Sequence, residues 1–202
     1  MSDERMDLRE AVAVVRDLRE PRDVVIPSMG SAREWMALGP MSDLDYVLVP
    51  SAMGHATSVG LGLALAQPDR RVIAMSGDGS LLMNLGSLVT ISALAPRNLV
   101  IVVFVNGVYE VTGAQVTPAA VAEHFAGVPV DYEALATACG IESVFRWSSI
   151  DAWRTGFVQV IDAPGPTVVI LDVKPVPGAA GPRSPGPARE RADRLMRALR
   201  GS

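Results

Sequence analysis

Apolar residues fall along this chain in short runs separated by turn residues, and the runs alternate between two periods. Met6, Leu8, Val12, Val15 and Leu18 recur at helical spacing among Arg, Asp and Glu, which predicts an amphipathic helix within residues 1–20, ended by Pro21. Residues 23–27 (DVVIP), 46–49 (YVLV), 71–76 (RVIAMS), 99–105 (LVIVVFV), 141–146 and 167–173 (TVVILDV) are rich in β-branched residues and are predicted strands. Between them the pattern predicts helices over residues 32–38, 51–66, 80–94, 119–125, 131–139 and 150–161, with Asp131 as an N-cap. Residues 28–31 are a turn of small residues, and residues 106–118 a loop long enough to carry function. The run at 99–105 is apolar throughout, as a strand covered on both faces should be. Strand and helix thus alternate, and the predicted fold is α/β: a doubly wound, mostly parallel sheet with helices on both faces. This unit spans residues 21–174. Residues 175–187 (PVPGAAGPRSPGP) form a Pro/Gly-rich linker, and residues 188–202 a helical tail of mixed charge.

Composition narrows the class. With 202 residues, 49% of them hydrophobic, the chain can bury a sizeable core and is not disordered. The net charge of −4 leaves no basic footprint for nucleic acid. Cys139 stands alone, which excludes a disulfide framework, a cysteine zinc site and a cysteine-ligated iron–sulfur cluster. No apolar run approaches the roughly 18 residues of a membrane span, and the charged start (MSDERMDLRE) shows no secretory leader. The expectation is a soluble, cytoplasmic protein.

Ligands of an open parallel sheet sit beyond the carboxyl ends of its strands. Gly77-Asp78-Gly79-Ser80 reaches that edge at a strand-to-helix turn, where glycines admit close backbone approach and free N–H groups favour phosphate. A carboxylate between the glycines repels phosphate unless a divalent cation lies between them. Asn106, at the end of the next strand, faces the same edge with an amide oxygen. Magnesium takes about six oxygens, commonly one or two from side chains, the rest from phosphate and water. Asp78, Asn106, a carbonyl near Val108, two diphosphate oxygens and a water complete that set.

Gly79 and Asn106 are separated by 26 residues. In this the sequence resembles the thiamine diphosphate enzymes, whose signature places an Asn at that distance beyond Gly-Asp-Gly. The likeness covers the diphosphate-binding domain, residues 23–173, with support from Ser51-Ala52-Met53-Gly54-His55 and Asp131-Tyr132-Glu133-Ala134-Leu135-Ala136. A finer resemblance is to the two-subunit sulfopyruvate decarboxylases and to phosphonopyruvate decarboxylase, through Met53-Gly54-His55 and Asn106-Gly107-Val108-Tyr109-Glu110-Val111-Thr112-Gly113-Ala114-Gln115. The chain departs from those patterns at Ser51 (usually Gly), Val105 (commonly Asp), Val111 and Ala114. Ala32-Arg33-Glu34 is similar to their Ser-(Arg/Lys)-Glu.

The resemblance implies roles for individual residues. Asp78, Asn106 and the Val108 carbonyl would ligate Mg²⁺. Gly77, Gly79, Ser80, Tyr109 and Gly54 would surround the cofactor, with Gly79 and Ser80 on its diphosphate. Met53 would prop the cofactor in its bent form, the Ser51 carbonyl would accept from its amino group, and His55 would stand close to diphosphate or substrate. Taken singly, each residue also has a plain alternative. Met53 suits an ordinary core, His55 a structural hydrogen bond, and Asp78 a turn. Arg33 suits a solvated helix face, Glu110 and Gln115 a loop brace, His124 the surface and Cys139 a buried helix face.

The implied activity is non-oxidative decarboxylation of a 2-oxo acid, releasing CO₂ and an aldehyde. In this superfamily a Glu on a separate pyrimidine-binding domain activates the cofactor, and only one doubly wound unit fits here. The expectation is a subunit active only with a partner that carries that Glu, in a hetero-oligomer (a dimer of heterodimers or larger) with no nucleic acid or membrane partner. Two readings compete: a carboligase of acetolactate-synthase or acyloin type, and a non-catalytic cofactor-binding or regulatory module.

Overall fold

The computed structural model describes residues 5–50, 53–120 and 128–201. In chain order the elements are α1 (Leu8–Leu18), β1 (Val24–Pro27), α2 (Met29–Ala37), α3 (Ala56–Ala66), β2 (Val72–Gly77), α4 (Asp78–Met83), α5 (Gly86–Leu94) and β3 (Leu99–Val105). There follow β4 (Val108–Tyr109), a 3₁₀ turn (Glu110–Thr112), β5 (Gln115–Val116), α6 (Tyr132–Ala138), β6 (Ser143–Trp147), α7 (Ile150–Asp162), β7 (Thr167–Asp172) and α8 (Ala188–Arg200). Five strands form one parallel sheet in the order β1-β2-β3-β7-β6, and β4 and β5 form a small antiparallel hairpin.

The two-faced sheet follows from side-chain alternation. In β3, Val100, Val102 and Phe104 pack with Val12 of α1, Trp35 of α2 and Trp153 of α7. Leu99, Ile101 and Val103 point the other way, onto Leu61 of α3, Ile91 of α5 and Ala136 of α6. A strand apolar at every position is what two covered faces require. Small residues set the spacing: a Cβ on Gly60 of α3 would stand 3.0 Å from the Ala74 Cβ of β2. Among the described residues no helix is long and apolar enough to cross a membrane.

Several predicted elements are corrected. Residues 46–49 do not form a strand, although they run beside β1. Val25 donates to the Leu44 carbonyl (3.1 Å), and Tyr46 and Leu48 donate to the carbonyls of Val25 (2.8 Å) and Pro27 (2.9 Å). Pro27 has no N–H to return to Tyr46, so the ladder breaks into the isolated bridges Val25↔Asp45 and Ser28↔Leu48. The turn predicted at 28–31 is already helix from Met29, because the Ser31 hydroxyl accepts from the Ser28 N–H (3.1 Å) and donates to its carbonyl (2.8 Å).

The helix predicted over 80–94 starts at Asp78 and is broken after Met83. There the Asn84 side chain donates to the Gly54 carbonyl (2.9 Å) and to the Ser58 hydroxyl (3.1 Å) instead of facing solvent. The helix predicted over 51–66 begins at Ala56. Of the helix predicted over 119–125, Ala119 and Ala120 lie in a turn and the remainder, with His124, lies outside the described residues. The tail is docked: Arg191 of α8 donates to the carbonyls of Val47 and Val49, and Leu195 is buried.

Candidate functional site

Because β2 and β3 are sheet neighbours with Gly77 paired to Phe104, the chain leaves the sheet at Asp78 and Asn106 side by side. Asp78 opens α4 and is 2% exposed. Its Oδ1 accepts from the Gly79 N–H (2.8 Å) and its Oδ2 from the Gly107 N–H (2.9 Å), so one carboxylate joins both strand ends. Asn106 Oδ1 accepts from the Val108 N–H (3.0 Å). Consecutive peptide N–H groups of a single turn thus hold one oxygen of each side chain. The turn depends on Gly107, whose φ of +75° lies in the left-handed region that favours glycine.

Burial drives the Asp78 carboxyl up to about 6 against the backbone N–H groups that lower it, and among the described residues no ion pair reaches it. A buried carboxylate without a counter-charge suits a cation. Among the described residues no three His, Cys, Asp or Glu cluster as a metal site. At this turn the donors are the Asp78 carboxylate, the Asn106 amide oxygen and backbone carbonyls, with Glu110 tied to Arg33. Such hard oxygens fit Mg²⁺ shared with phosphate rather than a transition metal.

These groups line a cleft of about 300 Å³ whose walls include Met29, Met53, Met83, Phe104 and Val111. Of the residues singled out in the sequence, Met53, Gly77, Asp78, Gly79, Ser80, Asn106, Val108, Tyr109, Glu110, Val111 and Gln115 line it. Gly79 is the floor beneath Tyr109: a Cβ there would lie 2.7 Å from the ring. Gly54 is not in the lining. With a φ of +88° it lets the turn lie against α4, where a Cβ would be 2.8 Å from the Ser80 carbonyl oxygen. His55 also lies outside the lining, exposed at the start of α3 with Nδ1 3.3 Å from the Met53 carbonyl oxygen. Ser51 falls outside the described residues.

Leu8, Met29, Gly30 and Ser31 come from the start of the chain to form one wall, a placement the sequence did not signal. Glu110 lines the cleft and is bonded to Arg33 of α2, Asn106 and Val176. Gln115 braces the loop through Thr112, donating to its carbonyl (2.9 Å) and accepting from its hydroxyl (2.9 Å). Among the described residues the buried hydroxyls of Thr117 and Tyr132 have no hydrogen-bond partner, and burial and the Asp78 charge both push the Tyr132 hydroxyl up.

Residues 28–171 match the family model "Thiamine pyrophosphate enzyme, C-terminal TPP binding domain". The chain is 40% identical over 157 residues to a phosphonopyruvate decarboxylase of Streptomyces viridochromogenes, covering 77% of this chain but 37% of that protein. It is 37% identical over 181 residues to the sulfopyruvate decarboxylase subunit beta of Methanothermobacter thermautotrophicus, covering 89% of each. In fold it is similar to a thiamine diphosphate-dependent 4-hydroxybenzoylformate decarboxylase of Rhodococcus jostii, with a TM-score of 0.70 at 20% identity, over 86% of this chain and 34% of that one. A thiamin diphosphate-dependent enzyme from Mycobacterium smegmatis aligns with a TM-score of 0.69 at 22% identity, over 85% of this chain and 32% of that one.

Proposed function

This chain belongs to the thiamine pyrophosphate enzymes, as their C-terminal cofactor-binding domain, and from that membership we propose that it is the thiamine diphosphate- and Mg²⁺-binding subunit of a two-subunit non-oxidative 2-oxo acid decarboxylase. The observation that carries the reading is its end-to-end likeness to a decarboxylase subunit beta, 89% of each chain, with Asp78 and Asn106 joined at one turn. Residues 21–174 are the cofactor-binding unit in this reading, with residues 1–20 as the N-terminal helix, 175–187 as the linker and 188–202 as the tail. The reading places the enzyme in the cytoplasm.

Asp78, Asn106 and the Val108 carbonyl would hold the cation. Gly77, Gly79, Ser80 and Tyr109 would receive the diphosphate. Met53 would prop the organic part and the Ser51 carbonyl would accept from its amino group. Gly54 shapes the turn that carries Met53, and His55 would stand near the diphosphate or substrate. When bound, thiamine diphosphate supplies the nucleophilic carbon and the electron sink for loss of CO₂. The protein's own residues fix the cation, orient the cofactor and give it an apolar cleft that excludes water. A partner subunit would supply the carboxylate for the pyrimidine ring. Leu65, Val89 and Leu94, on α3 and α5, are 50%, 58% and 51% exposed, an apolar surface suited to such a partner.

Co-production with a subunit bearing a pyrimidine-binding domain tests the reading. The mixture should release CO₂ and an aldehyde from sulfopyruvate or phosphonopyruvate, and neither chain alone should turn over. Product formed only with an added acceptor aldehyde or keto acid identifies the carboligase instead. Tight cofactor binding with no CO₂ from any 2-oxo acid identifies a binding module.

The close fit at Gly79 gives a sharper expectation. Alanine is the better helix former by about 1 kcal/mol, so Gly79→Ala should not unfold α4. Its Cβ must displace the Tyr109 ring, which it would approach to 2.7 Å. Thiamine diphosphate affinity in Mg²⁺, measured by calorimetry, should fall about tenfold with little change in melting temperature. Unchanged affinity would remove Tyr109 and Gly79 from the cofactor's seat.

A further inference from the structure

Glu110 has the bonding of a central brace rather than of a surface acid. Its side chain is 6% exposed. Oε2 accepts from Arg33 Nη1 (3.3 Å) and Nη2 (3.2 Å), and Oε1 accepts from Asn106 Nδ2 (3.3 Å) and the Val176 N–H (2.8 Å). Four parts of the chain meet on one carboxylate: α2, the end of β3, the 3₁₀ turn and the linker. The linker is held again farther on, where Arg33 Nη1 reaches the Ala180 carbonyl (3.4 Å), and a Cβ on Gly181 would lie 2.9 Å from Val111 Cγ1. Ser184 then donates to the Val49 carbonyl (3.3 Å), beyond which Arg191 and Leu195 fix α8. The Pro/Gly-rich segment is a strap across the cleft loop.

The chemistry of the Asn106 contact gives the brace a direction. An amide presents a donor on one side and an acceptor on the other, and its neighbours decide which way it faces. A carboxylate accepts only, so Glu110 draws Nδ2 and leaves Oδ1 to the Val108 N–H, next to the Gly107 N–H that holds Asp78 Oδ2. Arg33 neutralises Glu110 and occupies its second oxygen, which keeps the acid out of the donor set for a cation.

We propose that Glu110 is a positioning residue for the cation site, setting the orientation of the Asn106 amide while Arg33 and the 175–187 strap hold it in place. The proposal rests on the reading of Asn106 as a cation ligand. Partners that orient metal ligands typically change metal affinity 10–100-fold when lost. In Glu110→Gln the new amide keeps its oxygen for the two charged Arg33 donors, its NH₂ then meets the N–H donors of Asn106 and Val176, and the hydrogen bond that holds the Asn106 amide is lost.

The test is Mn²⁺ binding to the full chain with thiamine diphosphate, followed by electron paramagnetic resonance. Wild-type protein that binds no Mn²⁺ refutes the cation-site reading itself, and Glu110 with it. Given binding, Glu110→Gln should weaken it at least tenfold. In an Asn106→Asp background, where the two oxygens are equivalent and orientation is irrelevant, the same change should cost less than threefold. Equal losses in both backgrounds point to charge or packing and overturn the proposal, as does full affinity in Glu110→Gln. Should Glu110→Gln not fold, Glu110→Asp decides, because the shorter carboxylate keeps its charge beside Arg33 but withdraws from Asn106. A tenfold loss of affinity supports the proposal and full affinity overturns it.

Discussion

Replacing Asp78 by Asn is expected to leave the chain folded and to abolish the effect of Mg²⁺ on thiamine diphosphate affinity. The carboxylate is 2% exposed, and burial has driven it from 3.8 to about 6. Keeping it charged there costs about 3 kcal/mol of stability, a cost present above pH 6 and gone below the unfolded value near 4. Asparagine removes that cost. Against this, one of the Gly79 and Gly107 N–H groups loses its acceptor, worth about 1–3 kcal/mol, so the two changes nearly offset and the fold should hold. The cofactor has no such compensation. A unit charge 4 Å from another contributes about 4 kcal/mol at a surface-like dielectric, and on the order of a thousandfold in affinity. Titration calorimetry with Mg²⁺ and with EDTA should give widely different dissociation constants for the wild type and nearly equal ones for the variant. A hundredfold Mg²⁺ effect surviving in Asp78→Asn would take the carboxylate out of the cation's coordination.

What the sequence made legible was whatever is encoded locally. The apolar run of β3 announced a strand with two covered faces, and Asp131 announced a helix start, where its side chain accepts from Glu133 and Ala134. The turns after β2 and β3 were legible too, since an Asp between glycines and an Asn after a β-branched run are local patterns. Their adjacency followed from the parallel pairing of consecutive strands. What escaped depends on partners far along the chain. Residues 46–49 have strand propensity, and their ladder fails because of a missing N–H on Pro27, in a different segment. The break after Met83 comes from Asn84 bonding to Gly54, 30 residues earlier. Glu110 gains its meaning from Arg33 and Val176, 77 and 66 residues away, and periodicity carries no information about such pairs. The docking of α8 escaped for the same reason, since a helix of mixed charge has no visible inner face until Val47 and Val49 offer their carbonyls to Arg191.

Met53→Ala should separate binding from turnover. The backbone at this point is pinned, because Gly54 at φ +88° packs on α4 and its carbonyl accepts from Asn84 (2.9 Å). The side chain is not: Met53 lines the cleft yet remains 38% exposed, so folding gains little from it. Truncating it should shift stability by no more than about 0.5 kcal/mol. A large flexible apolar group on a fixed stem at the mouth of a cleft is suited to pressing on whatever the cleft holds. Losing that pressure leaves the diphosphate end anchored by Asp78 and Asn106, so cofactor affinity should stay within about threefold. Misplacement of the reacting atoms is costly, and turnover with the partner subunit should fall about a hundredfold. Deuterium exchange at the thiazolium C2 of the bound cofactor should slow in parallel, and Met53→Leu, which restores most of the volume, should recover most of both. An exchange rate unchanged in Met53→Ala would mean that this side chain takes no part in shaping the bound cofactor.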